Sequence, residues 1–292
     1  MYDTIIVGGG PAGLTSAIYL RRANKKVLVL EANICGGQIV NAKDIENYPG
    51  YEHISGFDFS ENLRNQVLNL GAEIKYETVL KVDEDKKVYT ANNTYEAKSI
   101  ILAIGSKNRK LGIANEEKFN GRGISYCATC DGNFYKNKDV AVIGGGNTAL
   151  DDILYLSDIC NHVYGIVRKD TYKGELQELD EINKRSNVTI LYNSVVTELI
   201  GNDTLEKIKI NDEKEIEVSG VFVAIGQEPN NMMFKNIVDL DEKGYIITNN
   251  DVKTKTKGIY VAGDARDKVL RQLTTATADG ALAATYAIKE ME

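Results

Sequence analysis

The sequence predicts an α/β protein in which one strand–turn–helix–strand unit occurs twice. Residues 5–14 and 141–150 align without gaps, and each segment runs from an apolar strand through a glycine turn into the start of a helix. The alignment continues to the second strand of each copy, where Val27 matches Val163. Two parallel strands joined by a crossover helix form the βαβ unit of a Rossmann-like fold. We therefore expect two Rossmann-like, three-layer dinucleotide-binding domains.

Further strands are predicted at matching places in both copies. The apolar segments 99–105 and 220–226 each predict a buried strand that ends in a glycine turn. Alternating stretches with turn residues between 72 and 97, and again between 188 and 218, predict a small antiparallel meander in each domain. The two halves of the chain are thus expected to share one architecture.

The last part of the chain predicts a strand over 258–264 and a helix from about Gln272 to Lys289. Because this tail has no glycine turn of its own, we expect it to fold back onto the first domain. The second domain is then inserted into the first, with connectors near 111–114 and 226–231. The expected boundaries are 1–112 and 239–292 for the first domain and 113–238 for the second.

The composition is that of an ordinary globular enzyme, with 43% hydrophobic and 26% charged residues. A length of 292 residues favours two domains, each with its own core. The formal net charge of −7 argues against a protein that tracks a nucleic-acid backbone. No apolar run approaches the roughly 18 residues that span a bilayer, and no basic or apolar leader precedes the first strand. We expect a cytoplasmic protein without nucleic-acid or membrane partners.

Cys127 and Cys130 are separated by two residues, and Asp131 follows them directly. Such a pair of thiols can close a small disulfide ring and exchange electrons with other dithiols. In the cytoplasm, where thiols are kept reduced, a CxxC is more often catalytic than structural. A zinc site is the alternative, but zinc usually needs four ligands, and Cys160 and His162 lie too close together to resemble the usual second pair. We expect a redox pair and no metal, with Asp131 managing the protons of the dithiol.

The first glycine turn has the residues that a bound dinucleotide requires. Gly8, Gly10 and Gly13 form a GxGxxG pattern between a strand and a helix. The first glycine permits the turn, the second lets the backbone approach a pyrophosphate, and the third lets helix and strand pack closely. Glu31 ends the second strand, where a carboxylate can accept hydrogen bonds from a ribose diol. A purely structural glycine turn is the alternative.

The second glycine turn repeats this pattern as GxGxxA, formed by Gly144, Gly146 and Ala149. Val167 occupies the position that corresponds to Glu31, so the ribose-binding acid is missing. The basic residues that follow are Arg168, Lys169 and Lys173. The loss of an acid and the gain of cations suit the 2′-phosphate of NADPH better than NADH. A solvated basic turn is the alternative.

In the order and spacing of its motifs, the chain resembles the bacterial low-molecular-weight thioredoxin reductases over essentially its whole length. These are FAD-dependent pyridine nucleotide-disulfide oxidoreductases. The most specific motif is CATCD at 127–131, which lies between the two glycine motifs. The other matching motifs are GGGPAG at 8–13, GGQ at 36–38, GGGNTA at 144–149, GD at 263–264 and RQ at 271–272.

The resemblance implies FAD in the first domain, NADPH in the second, and a homodimer. It implies that Cys130 is the thiol nearest the flavin, that Cys127 attacks the protein substrate, and that Asp131 gains and loses a proton during the cycle. The implied FAD-binding residues outside the glycine turn are Gly37, Gln38, Asn47, Val79, Asp264, Arg271 and Gln272.

The chain departs from the family at the NADPH motif. Where the family usually has His-Arg-Arg followed three residues later by another Arg, this chain has Val167, Arg168 and Lys169, followed by Lys173. The positive charge is kept, but the bidentate forks of two Arg side chains are lost, and Lys does not fully replace them.

The expected activity is the reduction of the disulfide of thioredoxin, or of a thioredoxin-like protein. Electrons would come from NADPH through FAD and the Cys127–Cys130 redox disulfide. Two alternatives keep the fold but change the electron partner: a ferredoxin-dependent reductase, or an oxidase that passes electrons from a small dithiol to oxygen. A third alternative is a flavin-binding redox sensor that signals through a partner without turnover.

Overall fold

The computed structural model describes residues 1–42, 44–173, 176–248 and 251–292, and divides the chain into two compact units. Unit 1 consists of Met1–Lys107 and Glu228–Glu292, and unit 2 is Asn108–Gln227. Both boundaries fall earlier than the sequence analysis placed them: residues 108–112 belong to unit 2, and residues 228–238 belong to unit 1. The second boundary moves because of packing, since Phe234, Ile237 and Val238 are buried in a core of unit 1.

The helices and strands are numbered in chain order. The strands are β1 (Tyr2–Val7), β2 (Val27–Glu31), β3 (Glu73–Tyr76), β4 (Val79–Val82), β5 (Lys87–Thr90), β6 (Thr94–Leu102), β7 (Lys107–Asn108), β8 (Ile124–Ser125), β9 (Asp139–Ile143), β10 (His162–Ile166), β11 (Val188–Leu191), β12 (Val196–Ile200), β13 (Lys207–Ile210), β14 (Lys214–Glu217), β15 (Gly220–Val223), β16 (Gln227–Glu228) and β17 (Ile259–Val261). The α-helices are α1 (Pro11–Arg22), α2 (Gly56–Asn69), α3 (Glu116–Phe119), α4 (Ala128–Asp131), α5 (Asn147–Ile159), α6 (Leu176–Ile182) and α7 (Leu273–Met291). Short 3-10 helices cover Gly37–Asn41, Gly132–Tyr135, Met232–Phe234 and Gly263–Ala265.

The sheet of unit 1 has a parallel part in the order β3-β2-β1-β6-β17. The first residues of β6 also pair antiparallel with β5, which pairs with β4, so the predicted meander is confirmed. Side chains alternate across a strand, and Ile5 and Ile6 are therefore buried in different cores on the two faces of the sheet. Helices cover one face and the meander covers the other, which makes three layers.

Helices α1 and α7 pack closely because small residues line their contact. A Cβ atom at Gly280 of α7 would collide with the carbonyl oxygen of Ala12 in α1. Ser16 donates a hydrogen bond from Oγ to the Gly280 carbonyl oxygen at 3.0 Å, and is fully buried. Pro11 occupies the first turn of α1, where its missing N–H costs nothing. The predicted return of the C-terminal strand and helix to the first domain is confirmed by β17, which pairs with β6, and by this helix contact.

Unit 2 repeats the arrangement of unit 1. Its parallel sheet has the order β11-β10-β9-β15-β8, and β12, β13 and β14 form the second predicted meander. Helix α5 lies over one core and the meander over another. Corresponding residues of the two units also form corresponding hydrogen bonds. The N–H of Gly8 donates to Leu30 O at 2.8 Å, and the N–H of Gly144 donates to Ile166 O at 3.1 Å. The predicted α/β fold with two related units is confirmed.

The ends of unit 2 lie beside each other. β7 and β16 form a two-stranded sheet, and the N–H of Arg109 donates to Gly226 O at 3.1 Å. Within the ranges described above, no helix combines the length and the apolar character needed to cross a bilayer.

Candidate active site

Cys127 and Cys130 are joined by a disulfide, with their Cα atoms 5.3 Å apart. Cys127 precedes the single turn of α4, and its carbonyl oxygen accepts a hydrogen bond from the N–H of Asp131 at 3.1 Å. This turn brings the two sulfur atoms within bonding distance, as the spacing of the pair predicts. Both cysteines are half-buried, so the pair is neither locked in a core nor fully open to water.

Asp131 and the first cysteine share one hydroxyl group. Ser125 donates a hydrogen bond from Oγ to Oδ2 of Asp131 at 2.6 Å, and its Oγ accepts one from the N–H of Cys127 at 3.1 Å. Burial raises the pKa of Asp131 above its ordinary value, and the bond from Ser125 acts in the opposite direction. The carboxyl group therefore takes up a proton more readily than an exposed acid. The sequence analysis missed Ser125, because a small polar residue at a strand end has no distinctive pattern.

The glycine turn of unit 1 has both crowded and open positions. A Cβ atom at Gly8 would collide with Ala103 O, and one at Gly13 with Gly8 O, so both positions require glycine. At Gly10 a Cβ would meet nothing within 4 Å. Helix α1 begins there without a side-chain cap. Its first N–H groups are therefore available to an anion.

Two further predicted residues lie against this turn. Glu31 accepts hydrogen bonds from the N–H of Gly9 at 2.7 Å and from that of Asn33 at 2.8 Å, one at each carboxylate oxygen. Each oxygen keeps acceptor capacity for another donor, such as a ribose hydroxyl. A Cβ atom on Gly37 would lie 3.5 Å from Gly10 Cα, so this glycine also approaches the turn.

Three of the remaining residues predicted to bind the first cofactor form hydrogen bonds to residues distant in sequence or to each other. Gln38 donates a hydrogen bond from Nε2 to Ser106 O, and Asn47 donates one from Nδ2 to Gln272 Oε1 at 3.3 Å. Val79 differs from the others, because its side chain is buried in a core of unit 1. The structure thus joins residues 47 and 272, which are far apart in sequence.

Asp264 and Arg271 contain buried polar atoms with unsatisfied hydrogen-bonding capacity. Within the described part of the chain, Asp264 Oδ1 and Arg271 Nε have no hydrogen-bond partner. Burial raises the pKa of Asp264, while the cations of Lys268 and Arg271 oppose that rise. Lys268 Nζ lies 3.7 Å from Asp264 Oδ1 and donates a hydrogen bond to Asp279 Oδ2 at 3.0 Å. Orphaned buried polar atoms of this kind are rare in proteins and are typical of a site that receives a ligand.

The glycine turn of unit 2 has the same crowded and open positions as the first. A Cβ atom at Gly144 would collide with Ala224 O, whereas one at Gly146 would meet nothing within 4 Å. Ala149 is buried directly behind the turn. Helix α5 begins at this turn without a side-chain cap.

The basic segment that follows β10 folds back onto this turn. The N–H of Lys173 donates to Gly145 O at 2.7 Å, and Val167 is buried at the position that corresponds to Glu31. Arg168, Lys169 and Lys173 are exposed. No described residue forms an ion pair with any of the three cations. This leaves their charge available to a phosphate.

One cluster that the sequence analysis did not single out lies on the surface of unit 1. Asp44, Glu46 and His53 present ligand atoms within 4.8 Å of one another, and His53 Nδ1 lies 2.8 Å from Asp44 Oδ2. Hydrogen bonding to Asp44 raises the pKa of His53. An exposed carboxylate–imidazole pair of this kind is common without a metal ion, and we assign none.

Comparisons with known proteins agree with this geometry. The sequence pattern of the family described as pyridine nucleotide-disulphide oxidoreductase matches residues 2–280. A thioredoxin reductase of Borreliella burgdorferi is 43% identical over 291 residues, covering 96% of this chain and 89% of that protein. One of Listeria monocytogenes is 40% identical, covering 100% of this chain and 94% of that protein. The crystal structure of thioredoxin reductase from Streptococcus pyogenes MGAS5005 is similar with a TM-score of 0.94 and 38% identity, covering 100% of this chain and 98% of that one. The chain therefore belongs to the pyridine nucleotide-disulphide oxidoreductase family.

Proposed function

We propose that the protein is a thioredoxin reductase, a flavoenzyme that reduces the disulfide of thioredoxin or a thioredoxin-like protein with electrons from NADPH. The observation that carries this proposal is the half-buried Cys127–Cys130 disulfide, followed directly by the half-buried Asp131, whose carboxyl group is held by Ser125. A dithiol that exchanges with other dithiols needs reachable sulfur atoms and a group that handles protons. The similarity to thioredoxin reductases over the whole chain supports this choice of substrate.

FAD fits unit 1, and when bound it would supply the two-electron chemistry. The open face at Gly10 and the uncapped start of α1 suit its pyrophosphate. Glu31 has acceptor capacity for a ribose, and Asp264 and Arg271 each offer a buried polar atom without a hydrogen-bond partner among the described residues. Residues that we propose to assist are Gly8, Gly13, Gly37, Gln38, Asn47, Val79 and Gln272.

NADPH fits the second glycine turn in the same way. Gly144 and Ala149 shape the turn, and Gly146 leaves room for a pyrophosphate. Arg168, Lys169 and Lys173 would bind the 2′-phosphate, because they are exposed cations without described ion-pair partners next to this turn.

The dithiol acts by thiol exchange. In the reduced pair, the Cys127 thiolate attacks one sulfur of the partner disulfide, and the other partner sulfur leaves as a thiolate. The Cys130 thiolate then attacks the Cys127 sulfur, which closes the Cys127–Cys130 disulfide and releases the second partner sulfur. Asp131 would hold and return protons, since its raised pKa lets it take up a proton. Two thiols are thus oxidised and the partner disulfide is reduced to two thiols.

Cys130→Ser is the direct test of this pathway. The variant should lose thioredoxin reduction while it keeps bound FAD, because the dithiol lies in unit 2 and the proposed FAD residues lie in unit 1. An assay of NADPH-dependent thioredoxin reduction checks the loss of activity, and the flavin absorbance of the purified protein checks that FAD stays bound. Cys160→Ala, at a buried cysteine outside the pair, is the matched control and should keep turnover. Normal turnover of Cys130→Ser would reject the pathway.

The electron donor needs a separate test because of the altered basic motif. We expect NADPH to bleach the flavin faster than NADH. Arg168→Ala with Lys169→Ala should reduce this preference by at least about tenfold, since even one charge-assisted hydrogen bond contributes roughly 1.5–3 kcal/mol. Stopped-flow bleaching with NADPH, NADH and reduced ferredoxin measures the preference. If only reduced ferredoxin bleaches the flavin promptly, ferredoxin and not NADPH is the electron donor.

We further propose that the protein acts as a cytoplasmic homodimer, as the resemblance implies. The net charge of −7 gives no support for a nucleic-acid partner. Sedimentation should give twice the 32.2 kDa of one chain, and a monomer at micromolar concentration would reject this point.

A further inference from the structure

Glu116 is a buried acid that the mechanism above does not use. It begins α3 in unit 2 and is 4% exposed, whereas the next residue, Glu117, is exposed and pairs with Lys110. Acidic side chains are almost never buried unless other groups satisfy them. The groups that satisfy Glu116 therefore indicate what its carboxylate does.

Three donors from two separate segments meet at this carboxylate. The N–H groups of Leu111 and Gly112 donate to it at 2.7 Å and 2.9 Å, and the Tyr126 hydroxyl donates to Oε1 at 2.8 Å. Leu111 and Gly112 lie just after the start of unit 2 at Asn108. Among the described residues, no Lys or Arg forms an ion pair with Glu116. Glu116 thus links the segment that enters unit 2 to the residue that precedes Cys127.

Tyr126 is well suited to pass this restraint on. Its side chain packs against a core of unit 2, and the side chains of Leu111 and Ile113 pack against the same core. Burial and the neighbouring carboxylate raise the pKa of Tyr126, so its hydroxyl keeps its proton and remains a donor. Because Tyr126 is joined to Cys127 by one peptide bond, fixing its ring and hydroxyl also limits the movement of the first cysteine.

We propose that Glu116 is a positioning residue for the redox pair: through Tyr126 it keeps Cys127 within reach of Cys130. The stability of a disulfide depends on the effective concentration of its two thiols, which rises when they are held close together. Opening the disulfide takes two electrons and two protons and yields two thiols. The freedom that Cys127 gains on opening is limited by the link to Glu116, so the link favours the oxidised pair.

The test is the equilibrium between the Cys127–Cys130 disulfide and its dithiol. The FAD-loaded enzyme is equilibrated with mixtures of reduced and oxidised dithiothreitol and quenched with acid. Free thiols are then alkylated, and the peptide that contains both cysteines is quantified by mass spectrometry. Tyr126→Phe keeps the ring and removes only the hydroxyl. We expect a shift toward the dithiol of about three- to tenfold in the equilibrium constant, where tenfold is about 30 mV for a two-electron couple.

Glu116→Gln should shift the equilibrium in the same direction. The double variant should shift it no more than the larger single change, because both changes act on the same hydrogen-bonded link. Tyr89→Phe is the matched control, since it removes a hydroxyl–carboxylate bond of similar length, 2.9 Å to Asp83, in unit 1. The control should leave the equilibrium of the pair unchanged.

A wild-type equilibrium in Tyr126→Phe overturns the inference, even if the thermal midpoint falls. If Glu116→Gln does not fold, Tyr126→Phe decides alone. The inference rests on the proposed function only in requiring that the pair cycles, and the assay contains neither thioredoxin nor NADPH. A wild-type pair that does not interconvert in these buffers overturns both proposals, whereas cycling without a shift overturns this one alone.

Discussion

Asp131 illustrates how two neighbours set the proton affinity of one carboxyl group. Burial favours its neutral form, and the hydrogen bond from Ser125 favours its charged form. The CxxC-Asp pattern predicts that an acid lies beside the dithiol, and in the structure Ser125 Oγ bonds both this carboxyl group and the N–H of Cys127. The direction of its pKa shift is not readable from sequence, because it depends on how the turn of α4 is buried and on a hydroxyl six residues earlier.

Asp131→Asn should change both activity and the pH dependence of stability. The pKa of Asp131 is raised in the folded protein, so the stability it contributes is present below the unfolded pKa and is lost as pH rises through the folded pKa. Asn does not ionise, and the variant should therefore gain stability relative to wild type as pH rises from 4 toward neutral. Turnover with thioredoxin should fall by about a hundredfold or more, as for loss of a general acid or base.

Urea unfolding across this pH range and steady-state kinetics at neutral pH measure the two effects. Asp203→Asn, at an exposed position of unit 2, is the control and should leave both unchanged. A pH-independent stability difference between Asp131→Asn and wild type would contradict the burial argument, and wild-type turnover would contradict the proton role.

At the scale of elements, the two glycine turns use the same structural solution. In each, the first glycine faces a carbonyl oxygen of a neighbouring strand end, and the glycine two residues later faces open space. The sequence repeat predicts the paired strands, the turns and both meanders, because apolar periodicity and glycine spacing are local signals. It does not predict that Asn47 meets Gln272, or that Glu116 meets Tyr126, because side-chain contacts between distant segments leave no local pattern.

Single alanine substitutions in the glycine turn of unit 2 should separate the structural role of Gly144 from the proposed NADPH-binding role of Gly146. Gly144→Ala adds a Cβ that collides with Ala224 O, so it should lower stability by about 1–3 kcal/mol. Gly146→Ala meets no protein atom within 4 Å and has an extended backbone, with φ of −118°, that alanine accepts. It should keep wild-type stability but raise the KM for NADPH by about tenfold, because the methyl group fills the space left for the pyrophosphate. Thermal unfolding and initial rates check this contrast. A wild-type KM in Gly146→Ala would place the pyrophosphate elsewhere.

At the scale of the whole molecule, unit 2 is continuous in sequence and unit 1 is not. Sequence alone predicts the insertion, since the C-terminal strand has no glycine turn of its own. The exact limits depend on where residues 228–238 pack. Their apolar side chains would suit either core, so composition leaves the choice open. In the structure Phe234, Ile237 and Val238 are buried in unit 1, which moves the boundary to Gln227.

The two units should differ when they are expressed as fragments. Residues 108–227 contain both cores of unit 2 and should unfold cooperatively on their own. Residues 1–107 lack β17 and α7, which pair with β6 and pack on α1, and should not form a stable fold. Circular dichroism during urea unfolding measures both fragments. A cooperative transition for 1–107, or none for 108–227, would contradict this division of the cores.

The ends of unit 2 meet at the pairing of β7 with β16 and at the hydrogen bond between Arg109 and Gly226. The chain therefore leaves and re-enters unit 1 at one two-stranded pairing, and the entropic cost of closing the loop between two such points grows only slowly with its length. A module joined in this way can be lengthened, exchanged or circularly permuted with little effect on its host.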